Sequence, residues 1–221
     1  HKCGGDLYWY GCYDSDIYYK QFVTQESFSH PAKASFLLID RIFKHLEHLG
    51  ILKEGMTICD FMSGSGRIPL MASLKGYDSV GVQLEPHFIK MCEDNKKFAE
   101  NKIGRKLNFE IIQGDSRKLS ELLKDKELVG ITSPPYENSD VDGARKMPKG
   151  YFDKVGGIRH TKTLGLQIEN PNNIGSQFQG SYLSEMLRVY QEAYKSGMSV
   201  ICTITKNPTR AGKLRRLDLD T

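Results

Sequence analysis

The stretch Ser133-Pro134-Pro135-Tyr136 follows the apolar run through Ile131 and Thr132. It holds the residue types for one kind of chemistry, in which hydrogen-bond acceptors are fixed in space beside an aromatic face. Proline locks φ near −65° and has no N–H to donate, so it cannot continue a central strand. The strand must therefore end at about Ser133, with its last hydroxyl and the Pro134 carbonyl aimed in one direction and Tyr136 close by. Two acceptors held in this way can take the hydrogens of an amino group, and the ring can stack on a flat ligand.

A second constellation surrounds the glycine turn Asp60-Phe61-Met62-Ser63-Gly64-Ser65-Gly66. Gly64 and Gly66 allow tight turning and close approach of a ligand to the backbone. The turn is not a dinucleotide fingerprint, because the third glycine position is Pro69, and it lacks the Gly-Lys-Ser/Thr of a phosphate loop. Asp60 ends the strand before the turn. Glu85 ends the next strand, where a carboxylate can take both hydroxyls of a ribose. Asp115 ends the third and can accept from an adenine amino group. Each acid alone is explained as a helix cap. Three in register around a glycine turn suit a ligand with an adenosine, no phosphate and an ammonium-carboxylate tail, and S-adenosylmethionine fits that description.

The elements that must position these groups follow from periodicity. Residues 33–49 repeat apolar positions at helical spacing and stop before Gly50. Then MTICDF reads as a buried strand, IPLMASLKG as a helix ended by Gly76, SVGVQLE as a second strand and residues 86–101 as a second helix. NFEIIQGD reads as a third strand, SRKLSELLKD as a helix and LVGITS as the fourth strand, running into the prolines. Helical spacing returns in SYLSEMLRVYQEAYKSG, followed by the strand MSVICTITK. Strands alternating with helices predict an α/β fold with a Rossmann-like, doubly wound, mostly parallel sheet. Between 137 and 180 the periodicity disappears. This insertion leaves the carboxyl end of a strand, where open α/β sheets bind ligands, and a stretch of that length is functional or without structure. It carries Arg145, Lys146, Lys149, Lys154, Arg159 and Lys162 with Tyr151 and Phe152. Basic residues mixed with aromatics suit phosphate contact and base stacking; a solvated loop is the alternative.

Composition permits this without requiring it. The 221 residues hold 31 Lys and Arg against 27 Asp and Glu, a net charge of +4, which tolerates a polyanionic partner. One catalytic domain over 25–221 is enough, preceded by an extension over 1–24. The sequence opens without Met and closes on LRRLDLDT, as a piece of a longer protein would. No apolar run approaches the roughly 20 residues of a membrane span. Among five cysteines, Cys59, Cys92 and Cys202 fall in core-like segments as reduced thiols. His1, Cys3 and Cys12 contain no CxxC pair, so no metal site is expected.

DFMSGSG, GVQLE, GDS and TSPPY, in that order, resemble motifs I to IV of the amino-group DNA methyltransferases. HPAK, His30 to Lys33, resembles the segment that precedes motif I in that family, and GSYLSEMLRVYQEAYKSGMSVICTITKN is similar to its following helix and strand. The chain departs from the family where Asp60-Phe61-Met62 stands for the common Asp-Pro-Phe, and Arg67 for a common Thr. The resemblance implies the class I methyltransferase fold, S-adenosylmethionine as methyl donor, and double-stranded DNA with a flipped base as partner. It implies cofactor roles for His30, Lys33, Asp60, Met62, Ser63, Gly64, Gly66, Glu85 and Asp115, and catalytic roles for Ser133, Pro134, Pro135 and Tyr136. A Ser at the first position often accompanies cytosine-N4 targets, while Asp or Asn more often accompanies adenine, RNA guanine or protein glutamine. Adenine-N6, an RNA amino group and a binding-only homologue remain the alternatives. Carbon-5 methylation of cytosine would need a Pro-Cys turn, and no cysteine here follows a proline. The setting implied is the cytoplasm of a prokaryote or a phage-infected cell, in restriction-modification or as a solitary modifier.

Overall fold

The computed structural model describes residues 17–30, 34–123, 127–135, 170, 172–176, 179–205, 209–210 and 213–214. Short apolar runs bounded by turns form its main sheet. Strand β1 (Thr57–Asp60) buries Ile58 and Cys59, β2 (Asp78–Gln83) buries Val80 and Val82, and β4 (Leu128–Thr132) is buried along its whole length. Strands β3 (Phe109–Gln113) and β5 (Met198–Thr203) lie at the edges and are only partly covered. The order is β3-β2-β1-β4-β5, and every pairing in this sheet is parallel. This is the Rossmann-like, doubly wound sheet the sequence predicts, on which the class I methyltransferase fold is built. The chain steps outward from β1 to β3 and then returns to the other side of β1, so the direction reverses between β1 and β4.

Helices cover both faces, as a parallel sheet requires. On one face α2 (Phe36–His48), α3 (Arg67–Leu74) and α4 (Pro86–Ile103) pack Phe36, Ile39, Phe43, Leu70 and Ala99 against Ile58, Val129 and Ile131. On the other, α5 (Leu119–Leu122) and α6 (Gln179–Lys195) pack Leu119, Met186, Val189 and Ala193 against Cys59, Val80, Val82 and Leu128. The neighbours Ile58 and Cys59 serve opposite cores, the period of two that a doubly covered strand imposes. A one-turn α1 (Ile17–Lys20) precedes this frame, and two short strands, β6 (Thr209–Arg210) and β7 (Lys213–Leu214), pair antiparallel after it.

Three expectations are revised. The first helix begins at Phe36, because Ser35 is its N-cap and accepts from the Leu38 N–H. SRKLSELLKD does not form one helix: Asp115 caps a 3-10 turn over Ser116–Lys118, and only the single turn of α5 follows. The expected insertion is shorter at its far end. A 3-10 turn at Ile174–Ser176 places Ile174 in the core beside α6, which already begins at Gln179. Among the described residues no helix is long and apolar enough to cross a membrane.

Candidate active site

Asp60 and Thr132 stand at the carboxyl ends of β1 and β4, where the sheet reverses direction, which is where open α/β sheets bind ligands. Thr132 Oγ1 donates to Asp60 Oδ1 at 2.8 Å, and the Met62 N–H donates to the same oxygen at 3.2 Å. The two halves of the site are thereby joined by one buried hydrogen bond, since both side chains are almost wholly shielded. Burial pushes the Asp60 carboxyl up to about 7, against the pull of those two donors.

The glycine turn is seated from below and behind. Ser63 N–H donates to the Val82 carbonyl and Gly66 N–H to the Ser63 carbonyl. Ser63 Oγ lies over Gly81 of β2, where a Cβ would come within 2.6 Å of it, so a glycine in β2 is what lets the turn rest on the sheet. This places the Ser63 hydroxyl against β2. Gly64 and Gly66 have φ of +53° and +75°, in the region L side chains disfavour. Gln83 ties the turn to the next loop: its amide nitrogen donates to the Gly64 carbonyl at 3.3 Å, and its oxygen accepts from Leu84 and Glu85 N–H.

Asn95 of α4 is wholly buried and fixes the approach of the N-terminal segment. Its amide nitrogen donates to Ser27 Oγ and the Ser65 carbonyl, and its oxygen accepts from Thr24 N–H and Oγ1. With the segment pinned, the His30 ring packs edge-on to Phe88 at 4.5 Å and covers Gly64. A Cβ on Gly64 would sit 3.0 Å from that ring. Gly64→Ala is therefore expected to lower stability by about 1–3 kcal/mol, from the left-handed backbone and the displaced imidazole, read as a lower urea midpoint at unchanged slope. Arg67, at the family's Thr position, sits with its guanidinium 4.4 Å from the Phe36 ring and donates to the Ala34 carbonyl.

The other two acids are already engaged. Glu85 occupies the N-cap position of α4 without a side-chain capping hydrogen bond, and its Oε1 accepts from Asn170 Nδ2 at 2.7 Å. Burial raises its carboxyl above the usual value, and the Asn170 hydrogen bond pulls it back. Asp115 is forked by Arg117, whose Nε reaches Oδ1 and Oδ2 at 2.9 and 3.0 Å; Arg117 Nη1 also bonds Glu185 of α6 at 2.6 Å. Burial pushes Asp115 up, but the guanidinium outweighs it and holds the carboxyl below its usual range. An adenine amino group would have to share Asp115 with Arg117.

At the end of β4, Pro134 is buried and Ser133 half-buried. Ser133 Oγ donates a long hydrogen bond, 3.4 Å, to the Ile204 carbonyl, and the Pro135 carbonyl accepts from Tyr182 of α6 at 2.7 Å. The Ile204 N–H donates to the Thr132 carbonyl. The step is thus braced by α6 and by the strand beside it. Tyr136, Lys33, Arg145, Lys146, Lys149, Tyr151, Lys154 and Arg159 lie outside the described residues. Among those described, no group of three His, Cys, Asp or Glu side chains could hold a metal ion. Thr132, Gln83, Asn95, Arg117, Asn170 and Tyr182 build the site and were not among the residues picked out from sequence.

No family model matches the sequence. No curated protein matches it either. Among solved structures, TrmN from Thermus thermophilus is similar at 16% identity over 53% of this chain and 32% of its own, with a TM-score of 0.39. A TehB-like SAM-dependent methyltransferase from Corynebacterium glutamicum is similar at 15% identity over 70% and 82%, with a TM-score of 0.29. A structure titled for conversion of a disulfide bond into a thioacetal group in echinomycin biosynthesis is similar at 21% identity over 42% and 34%, with a TM-score of 0.33. The chain spans about a third of the length of the first and last of these. The fold rests on the strand order and the site on its own geometry.

Proposed function

We propose that this chain transfers a methyl group from S-adenosylmethionine to the exocyclic amino group of a DNA base, N4 of cytosine, turned out of the duplex. The observation that carries the reading is the Ser133-Pro134-Pro135 step at the end of β4, joined to the glycine turn of β1 through the Thr132–Asp60 hydrogen bond. The residues present suit the cofactor. Gly64 and Gly66 offer backbone without side chains, Asp60, Met62, Ser63 and His30 lie in or against the turn, Glu85 follows β2 and is assigned to the ribose, Asp115 lies one strand further, and Lys33 keeps the cofactor role that the sequence motif suggests. Bound there, the cofactor supplies a methyl group activated by a sulfonium.

An exocyclic amine is a poor nucleophile because its lone pair is delocalised into the ring. The site must accept its hydrogens so that the nitrogen turns towards sp³. The Ser133 proton points to the Ile204 carbonyl, which leaves the oxygen lone pairs for the amine. The Pro134 carbonyl is the second acceptor, held by the stiff proline step, and Tyr136 stacks on the base. Positioning of this kind contributes up to about 7–11 kcal/mol of barrier reduction in the best-oriented cases.

The test is mass spectrometry of nucleosides from duplex DNA incubated with the protein and labelled S-adenosylmethionine. N4-methylcytosine is the expected product. N6-methyladenine would move the target within the same chemistry, whereas a methyl on carbon 5 or no transfer to DNA would overturn the reading. The basic insertion holds the phosphates in this proposal. Replacing Lys146 and Lys149 together by Ala should weaken duplex binding about tenfold at low salt and flatten its salt dependence. An unchanged salt slope would make the segment a solvated loop.

A further inference from the structure

The described residues Asn170 and Asn172 stand between two acids of the proposed cofactor pocket. Asn170 uses both ends of its amide: Oδ1 accepts from the Asn172 N–H at 3.0 Å, and Nδ2 donates to Glu85 Oε1 at 2.7 Å. The chemistry of the partners fixes this orientation, because an ionised carboxylate only accepts and a backbone N–H only donates. On the other side, Arg117 Nη2 donates to the Asn172 carbonyl at 3.3 Å while its Nε holds Asp115. Both asparagines are anchored by Ile174, buried against α6 and the sheet, and by the Asn173 side chain, which accepts from Gly175 N–H. They therefore bridge the carboxyl ends of β2 and β3.

We propose that Asn170 is a positioning residue for the cofactor ribose, and that Asn170 and Asn172 form the outer wall of the cofactor pocket. The inference rests on the functional reading above. A glutamate has three side-chain torsions, and an unheld carboxylate must be ordered when a ribose binds. Asn170 orders Glu85 beforehand by taking one lone pair of Oε1, which leaves the remaining lone pairs to accept from the ribose hydroxyls. Because the same two residues follow the basic stretch in sequence, the wall links the segment assigned to nucleic acid with the segment that holds the cofactor.

The experiment is calorimetry of the full chain with S-adenosylhomocysteine and with its 2′-deoxyribose analogue. Asn170→Ala should weaken S-adenosylhomocysteine binding about tenfold, with a much smaller loss for the analogue, whose ribose asks less of Glu85. Asn170→Asp, which keeps the size but cannot donate while ionised, should lose at least as much. Glu85→Gln combined with Asn170→Ala should be no worse than Glu85→Gln alone, because the asparagine acts through the glutamate. Equal affinity in wild type and Asn170→Ala, or the same loss for both ligands, would overturn the proposal. Tighter binding by Asn170→Ala would also overturn it, by making Asn170 a competitor of the ribose. If wild type binds neither ligand, the functional reading falls and this inference falls with it.

Discussion

Ser133→Ala is expected to slow single-turnover methyl transfer by about 10²–10³-fold, the loss typical when one preorganised hydrogen-bonding group at a reacting centre is removed. Cofactor affinity should stay within about twofold of wild type. The two effects separate because, among the described residues, the serine hydroxyl makes one long hydrogen bond, to Ile204, and none to the glycine turn. The strand is held independently, by β1 and β5 on its two sides and by the Ile204 N–H on the Thr132 carbonyl. The proline step is held by Tyr182. Removing the oxygen therefore leaves the scaffold and removes an acceptor. Single-turnover rates at saturating cofactor and duplex give the chemical step, and calorimetry with S-adenosylhomocysteine gives the binding. Full rate in the variant would remove Ser133 from the reaction. Loss of cofactor binding in proportion to the rate would make it a structural residue of the pocket.

The sheet was legible because each of its strands is a short apolar run closed by a turn, and because alternation with helices leaves few topologies. The strand-end acids were legible for the same reason: Asp60, Glu85 and Asp115 are the first charged residues after apolar runs. What escaped are polar residues whose partners are remote in sequence. Thr132 meets Asp60 across 72 positions and Asn170 meets Glu85 across 85, and no local periodicity encodes such a pairing. Asn95 did leave a trace. It occupies a core position on the stripe of α4 formed by Phe88, Cys92 and Ala99, and a buried amide on an apolar stripe requires partners. Asn170 left none, since it lies in a stretch without periodicity. The helix expected over SRKLSELLKD is cut to the single turn of α5 because Arg117 folds back onto Asp115 and Glu185 instead of continuing a helical face.

Asp60→Asn is expected to abolish a pH dependence that spans two properties of the protein at once. Burial raises the Asp60 carboxyl from its ordinary value of 3.8 to about 7. The folded state therefore holds this proton over a range in which the unfolded chain has lost it. The stability contributed by the proton is fully present below about pH 4 and is lost as pH rises through about 7, a difference of about 4 kcal/mol when integrated. The asparagine variant keeps a neutral side chain whose oxygen still accepts from Thr132 and Met62, so the stability gap between it and wild type should widen in its favour from pH 4 to 8. Cofactor binding should run the opposite way. A methyl donor carrying positive charge favours the ionised carboxylate, so its affinity for wild type should climb with pH, by at most tenfold per unit, and level off above about 7. Proton release on binding at pH 6 should be visible as a dependence of the calorimetric heat on buffer ionisation. Both trends should be absent in Asp60→Asn, whose affinity for the cationic donor should be low at every pH. A constant stability difference between the two proteins from pH 4 to 8 would show that Asp60 is ionised throughout, and would remove this acid as the coupling between the strand-end site and pH.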